Sequence, residues 1–321
     1  MTRKMQAAVV TAPNRMRIEV VPWPEPKPGE VCVRIEGCGV CGSNLAPWEG
    51  RPWFKYPFAP GELGHEGWGR VEAVGDGVSK IREGERVALL SYRAYAEYDV
   101  APESAVVRLP ETLDGKAFPG EALGCALNVF RRCDVKRGDT VAVVGVGFLG
   151  AVLASLCARA GASVIAISRR SFALETARRL GAAHLLPMRD QQQIIHQTKE
   201  ITGGNGCDRV IEAVGLQQPL DLAGELTRER GRLIIAGYHQ DGARQVNMQL
   251  WNWRGLDVVN AHEREPGVCR QGVEAAVEAV ASGQVELEPL LTHSFALDHL
   301  SDALNAMRDR PDKFLKAIVR M

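Results

Sequence analysis

At 321 residues the chain exceeds one ordinary domain and suits two. Its 39 basic and 39 acidic residues cancel to a formal charge of zero, which argues against nucleic acid or an anionic membrane as partner. Apolar residues at 45% and charged residues at 24% are the balance of a globular protein, and eight scattered cysteines do not form the dense pattern of a disulfide scaffold.

Residues 1 to about 120 read as mostly β, rich in Gly and Pro, with strand candidates at Ala7–Thr11, Val31–Glu36, Gly67–Val74 and Arg86–Leu90. Turn-rich stretches run from Pro22 to Gly29 and from Trp48 to Pro60. The start shows no signal-peptide core and the chain has no apolar run of about 18 residues, so a cytoplasmic location is expected. From Pro119 the texture changes to alternating strands and helices. Strands are expected at Val141–Val144, Ser163–Ile167, Asp208–Ala213, Arg232–Ala236 and Asp257–Asn260, an alternation that implies a parallel sheet covered by helices. A helix candidate at Arg270–Ser282, an amphipathic stretch at Ser301–Arg308 and a final strand at Lys316–Arg320 close the chain.

The stretch Val141–Ser171 reads as one βαβ unit with Gly145, Gly147, Phe148, Leu149 and Gly150 filling G-x-G-x-x-G. The first glycine permits a tight turn, the second lets the backbone approach a pyrophosphate, and the third lets helix and strand pack closely. The helix that follows points its N-terminal N–H groups at the phosphates. An NAD site usually carries Asp or Glu about 20 residues on, to accept from the ribose 2′-OH. Here Ser168, Arg169 and Arg170 stand there instead, and a guanidinium fork suits a 2′-phosphate, so NADP is expected over NAD. A solvated turn is the alternative for the two arginines.

Two short segments carry the sharpest chemistry: GCGVCGSN at 37–44 and GHEGWG at 64–69. Cys and His are ligands that zinc accepts, and a catalytic zinc uses three protein ligands plus an open position. Cys38 and Cys41 could instead form a redox dithiol, but no second CxxC or thioredoxin-like pattern accompanies them.

Together with GELGHEGWGRVEAVGDGV at 61–78, GERV at 84–87, AYAEYDVAPES at 94–104, EALGCALN at 121–128 and the glycine motif, these segments resemble the zinc-containing medium-chain dehydrogenase/reductases. This is the superfamily of alcohol, sorbitol and threonine dehydrogenases, and the segments occur in its order across nearly the whole chain. The resemblance implies an α/β fold with a GroES-like β-rich catalytic domain at 1–122 and 262–321. A Rossmann dinucleotide-binding domain then occupies 123–261, and the cleft between the two brings the nicotinamide over the metal. It implies Cys41 and His65 as zinc ligands, with Glu66 a ligand or adjacent to the metal. The last ligand is left between Cys125 and Glu121, with Cys125 favoured. Ser43 matches the hydroxyl that binds the substrate alcohol and starts its proton relay, a role open to a group that donates and accepts at once; a turn or N-cap residue is the alternative. Gly237 and Tyr238 match backbone near the nicotinamide, and Lys316 a basic position that approaches the pyrophosphate or is solvated.

Three departures stand out. Asn44 replaces the usual Asp, Ala46 replaces a relay histidine, and the four-cysteine structural-zinc lobe is missing, which predicts one zinc per chain. The implied activity is hydride transfer between NADP(H) and an alcohol or carbonyl substrate, with polyol, cyclitol or sugar-like compounds favoured by Glu66 and Glu121. A zinc-free quinone or enone reductase of the same superfamily and a non-catalytic nucleotide-binding protein are the alternatives. A homodimer or homotetramer is implied. Trp251 and Trp253 are candidates for its interface or for the core, and Trp48 and Trp53 for the pocket wall.

Overall fold

The computed structural model, which describes residues 3–321, divides into two units: Met1–Gly124 with Glu265–Met321, and Cys125–Arg264. The second unit thus opens at Cys125 and the return segment at Glu265, against 123 and 262 in the sequence reading. Among the described residues no helix is long and apolar enough to cross a membrane.

The first unit is built on a seven-stranded sheet whose path runs Leu291–Ala296, Lys316–Arg320, Glu30–Gly39, Gly67–Val74, Arg86–Leu89, Val106–Arg108, with Tyr98–Pro102 paired to Glu30–Gly39 off that path. Val31, Val33 and Ile35 alternate along the central strand, and all three are buried in one apolar cluster with Trp48, Val71 and Tyr95. The helix Leu300–Asp309 covers this core with Leu300, Ala303 and Leu304, the i, i+3, i+4 stripe of an amphipathic helix. Trp48 lies in this core. It is 1% exposed and its indole donates to Asn305 Oδ1 at 3.0 Å, whereas Trp53 is 58% exposed.

The second unit holds a six-stranded sheet in the order His184–Pro187, Ser163–Ser168, Thr140–Val144, Cys207–Glu212, Thr227–Ile235, Asp257–Asn260, every pair parallel. Val141–Val144 and Val164–Ile167 are fully buried, as continuous apolar runs in a sheet covered on both faces must be. The strand order reverses between Thr140–Val144 and Cys207–Glu212, the place where ligands bind in doubly wound sheets. The strand His184–Pro187 was not expected, because four residues carry too little periodicity to register. Thr227–Ile235 starts earlier than expected: its pairing jumps from Cys207↔Thr227 to Arg209↔Arg232, and the extra residues leave the ladder at a bulge containing Arg230 at φ 56°. Trp251 is 9% exposed in this unit's core and Trp253 is 85% exposed, so two residues of helical rotation send the pair to opposite faces.

Candidate active site

In the first unit, three strands converge on one pocket of donors. Glu30–Gly39 leads into Cys41, Glu66 immediately precedes Gly67–Val74, and Lys316 opens the last strand; the outer two strands both pair with the first. The ligand atoms of Cys41, His65 and Glu66 all lie within 4.8 Å of one another. A sulfur, an imidazole and a carboxylate oxygen together form a donor set that suits a zinc ion.

Glu66 is 0% exposed and Lys316 3%. The Lys316 ammonium donates to Glu66 Oε1 at 2.6 Å and lies 2.6 Å from Oε2, a buried oxygen to which no donor is aligned. That oxygen is the kind of acceptor a cation would satisfy. Lys316 is therefore not a surface cation approaching a pyrophosphate; its charge is spent inside the first unit, against Glu66. Burial pulls the Lys316 ammonium down, but the negative charges of Glu66, Cys41 and Glu121 outweigh it and hold the group above the ordinary lysine range. His65 follows the same pattern: burial opposes its charged form, while its bond to Cys41 and the fields of Cys41, Glu121 and Glu66 raise it to about 10. The pocket is a negative well that retains positive charge, which is what a metal site needs.

The histidine is oriented by main chain. His65 Nδ1 lies 2.9 Å from the Leu63 carbonyl, which can only accept, so Nδ1 carries the hydrogen and Nε2 is left as the ligand atom. Asn44 Nδ2 donates to the same carbonyl at 3.0 Å. Asn44 is 2% exposed, and its Oδ1 accepts from the Cys41 amide at 3.2 Å and from the Tyr95 hydroxyl at 3.0 Å. The amide thus does what an Asp at this position could not, donating to Leu63 while accepting from Cys41 and Tyr95. Leu63 itself sits at φ 80°, an uncommon conformation for a leucine, which turns its carbonyl into this shared position. Ser43 is half-buried in the short 3₁₀ turn Gly42–Asn44 beside Cys41, and Ala46 is 5% exposed just beyond it. Glu121 and Cys125 lie on one helix, Gly120–Cys133, but Glu121 belongs to the first unit with the three donors and Cys125 begins the second.

In the second unit the expected nucleotide residues gather at the C-terminal ends of the parallel strands. Gly145 has φ +100°, and a Cβ on Gly150 would come within 1.9 Å of the Gly145 carbonyl oxygen, so the strand–helix turn closes only with glycine there. Gly147 faces open space, and the helix Phe148–Arg159 that follows it has no side-chain cap. A helix N-terminus beside an unobstructed backbone makes a cradle that fits a pyrophosphate. Ser168, at 5% exposure, ends its strand without an acid, and its Oγ accepts from the Arg170 amide at 3.3 Å. The Arg170 guanidinium donates to the Val146 carbonyl at 3.3 Å, which leans it over the glycine turn, while Arg169 is exposed. Tyr238 is 53% exposed with its ring stacked on His262 at 5.7 Å between centroids.

Sequence reasoning missed Tyr95, Leu63 and the Glu66–Lys316 pair, as well as Glu212 in the second unit. Glu212 is fully buried at the end of the strand Cys207–Glu212, directly after the buried pair Val210 and Ile211, and an acid closing such an apolar run is a signal that could have been read.

The family model for the alcohol dehydrogenase GroES-like domain matches residues 27–111, and that for zinc-binding dehydrogenase matches residues 148–282. The chain is 26% identical to a sorbitol dehydrogenase of Halalkalibacterium halodurans over 339 residues, covering 95% of this chain and 96% of that protein. It is 28% identical to an erythritol/L-threitol dehydrogenase of Mycolicibacterium smegmatis over 350 residues, covering 94% of each. The crystal structure of 2R,3R-butanediol dehydrogenase from Bacillus subtilis superposes with a TM-score of 0.86 at 24% identity, covering 99% of both chains. Two family models in this order, a GroES-like sheet followed by a parallel Rossmann sheet, and relatives aligned end to end all carry one implication. This chain is an alcohol dehydrogenase-type oxidoreductase and belongs to the zinc-type medium-chain dehydrogenase/reductase superfamily.

Proposed function

We propose that the protein transfers hydride between NADP(H) and a polyol-, cyclitol- or sugar-like alcohol or its carbonyl form, with one zinc ion per chain. The observation that carries this reading is the convergence of Cys41, His65 and Glu66 within 4.8 Å, in a pocket whose buried groups favour positive charge.

Cys41 and His65 would hold the metal with Glu66, and Cys125 is proposed as the further protein ligand, with Glu121 beside it. When bound, zinc supplies Lewis-acid polarisation of the substrate oxygen and NADP supplies the hydride acceptor. Ser43 would take the substrate hydroxyl hydrogen and pass it on, since a hydroxyl donates and accepts at once. Ala46 offers no relay, so the proton leaves Ser43 by water or by a cofactor hydroxyl. Glu66 faces the Lys316 ammonium, and its second oxygen would be available to hold the metal as well.

On the cofactor side, Gly145, Gly147, Phe148, Leu149 and Gly150 would seat the pyrophosphate. Ser168, Arg169 and Arg170 would take the 2′-phosphate, and Gly237 and Tyr238 would border the nicotinamide. The absence of an acid at the end of Ser163–Ser168 supports NADP over NAD. A cytoplasmic location is part of this reading, and the eight cysteines form no disulfide. A homodimer or homotetramer is proposed, with Trp253, at 85% exposure, a candidate for its interface.

Metal analysis of the purified protein, followed by NADPH and NADH oxidation against a panel of ketoses and aldehydes, tests the reading. One zinc per chain and a lower KM for NADPH are expected. Full turnover in metal-free protein would overturn the zinc role, and a preference for NADH would overturn the cofactor.

A further inference from the structure

Three loops at the C-terminal rim of the second unit's sheet are tied into one block. The strand Cys207–Glu212 ends in Glu212, which is 0% exposed. Its Oε1 accepts from the amides of Val214 at 2.7 Å and Gly215 at 2.8 Å, fixing the loop that follows its own strand. Its Oε2 lies 3.0 Å from His239 Nε2, on the loop that follows the neighbouring strand Thr227–Ile235. The far side of that ring is held too: Arg244 Nε donates to His239 Nδ1 at 2.9 Å, and Arg244 Nη2 donates to the Gly215 carbonyl at 2.9 Å and pairs with Asp241. An arginine can only donate, so His239 Nδ1 is the acceptor and the ring hydrogen sits on Nε2, directed at Glu212.

This relay fixes a spacing with no slack. A Cβ on Gly237 would fall 2.3 Å from the Gly215 amide nitrogen and 2.6 Å from Glu212 Oε2. A Cβ on Gly145, the first glycine of the nucleotide turn, would meet Val214 at 2.3 Å. The loop 213–215 therefore touches the glycine turn on one side and Gly237 on the other. An apolar side chain at 239 would fill the same space without committing a buried carboxylate to it, so the polar relay serves position rather than packing.

We propose that His239 is a positioning residue of the nucleotide site: held between Glu212 and Arg244, it locks the loops 213–215 and 237–239 at the spacing the nicotinamide end of the cofactor requires. The role rests on the nucleotide-binding reading above. It assigns to His239 no contact with reacting atoms, only control of the backbone that borders them.

The test is equilibrium binding of NADPH and NADH, followed by nucleotide fluorescence, to wild type, His239→Phe and His239→Gln. Phenylalanine keeps a ring and loses both hydrogen bonds, whereas glutamine can still donate to Glu212 and accept from Arg244. His239→Phe is expected to raise the dissociation constant for the preferred nucleotide about tenfold, the size of one to two lost hydrogen bonds. His239→Gln is expected to recover most of the loss, to within about threefold of wild type. Binding by His239→Phe within twofold of wild type, or no recovery in His239→Gln, would overturn the role. Should the phenylalanine variant not fold, Arg244→Met removes the outer donor together with its bonds to the Gly215 carbonyl and Asp241 and is expected to weaken binding at least about threefold; unchanged binding overturns the role equally. Wild-type protein that binds neither nucleotide would instead overturn the nucleotide site itself.

Discussion

The two candidate sites, one in each unit, are made in different ways. The candidate metal pocket of the first unit consists of charged and soft side chains: the buried Glu66 and Lys316 and the half-buried Cys41 and His65, with Asn44 and Tyr95 behind them. The nucleotide rim of the second unit consists mainly of backbone, with glycines at the strand ends and a helix start left uncapped. Side-chain sites concentrate electrostatic energy in a few atoms, and each partner is costly to lose once its mate is buried. Backbone sites spread the work over turns whose geometry depends on the absence of a Cβ.

The sharpest way to break this comparison is at Lys316. Replacing it by Met leaves the Glu66 carboxylate buried without its cation, and an uncompensated buried charge costs about 3–5 kcal/mol. Metal-free Lys316→Met protein should therefore show a markedly earlier denaturation midpoint, and adding Glu66→Gln should recover most of the loss. A midpoint unchanged from wild type would mean that water reaches the pair.

The corresponding attack on the rim is Gly150→Ala. The new methyl would meet the Gly145 carbonyl at 1.9 Å, so the helix start must move away from the turn. Overpacking of this kind costs roughly 1–3 kcal/mol, and nucleotide affinity should fall by at least about tenfold while zinc content stays at the wild-type level. Loss of zinc in this variant would show that the two sites do not fail separately.

The smallest effect lies at the opposite end of the second unit's sheet and serves as its control. Burial opposes ionisation of Asp208, but the Thr140 amide at 2.8 Å and Arg228 at 2.7 Å outweigh it and hold the carboxyl below its ordinary value. A depressed folded-state pKa contributes stability that is present above the unfolded value near 3.8 and is lost as pH falls through the folded one. Asp208→Asn should cost about 1 kcal/mol at neutral pH and flatten the acid limb of the melting curve below about pH 4, with nucleotide affinity unaltered. An acid limb identical to wild type would remove this role.

How far the sequence disclosed each site follows from the same contrast. The rim was legible because its requirement is local: three glycines after a β-branched run say what the backbone must do, and the missing acid after Ser168 stands in plain view. Cys41 and His65 were legible as donors, because few residue types bind soft metal ions. The pairing of Lys316 with Glu66 was not, since 250 positions separate them and only the sheet order brings their strands together. The sequence alone leaves Lys316 between a pyrophosphate neighbour and a solvated lysine. Asn44 was visible as a departure from the family, and the loss of a negative charge was clear, while the gain of an N–H donor aimed at Leu63 needed the folded loop. Trp251 and Trp253 looked alike in the sequence and differ only in the helical face each occupies.

The Leu63 carbonyl carries one more consequence. Because it receives both the His65 ring and the Asn44 amide, the imidazole has its orientation before any ion is present. The rotational freedom of that side chain is given up during folding rather than at loading. An ion would meet a ring already turned toward it, so loading would have to displace the proton on Nε2 rather than reorient the imidazole.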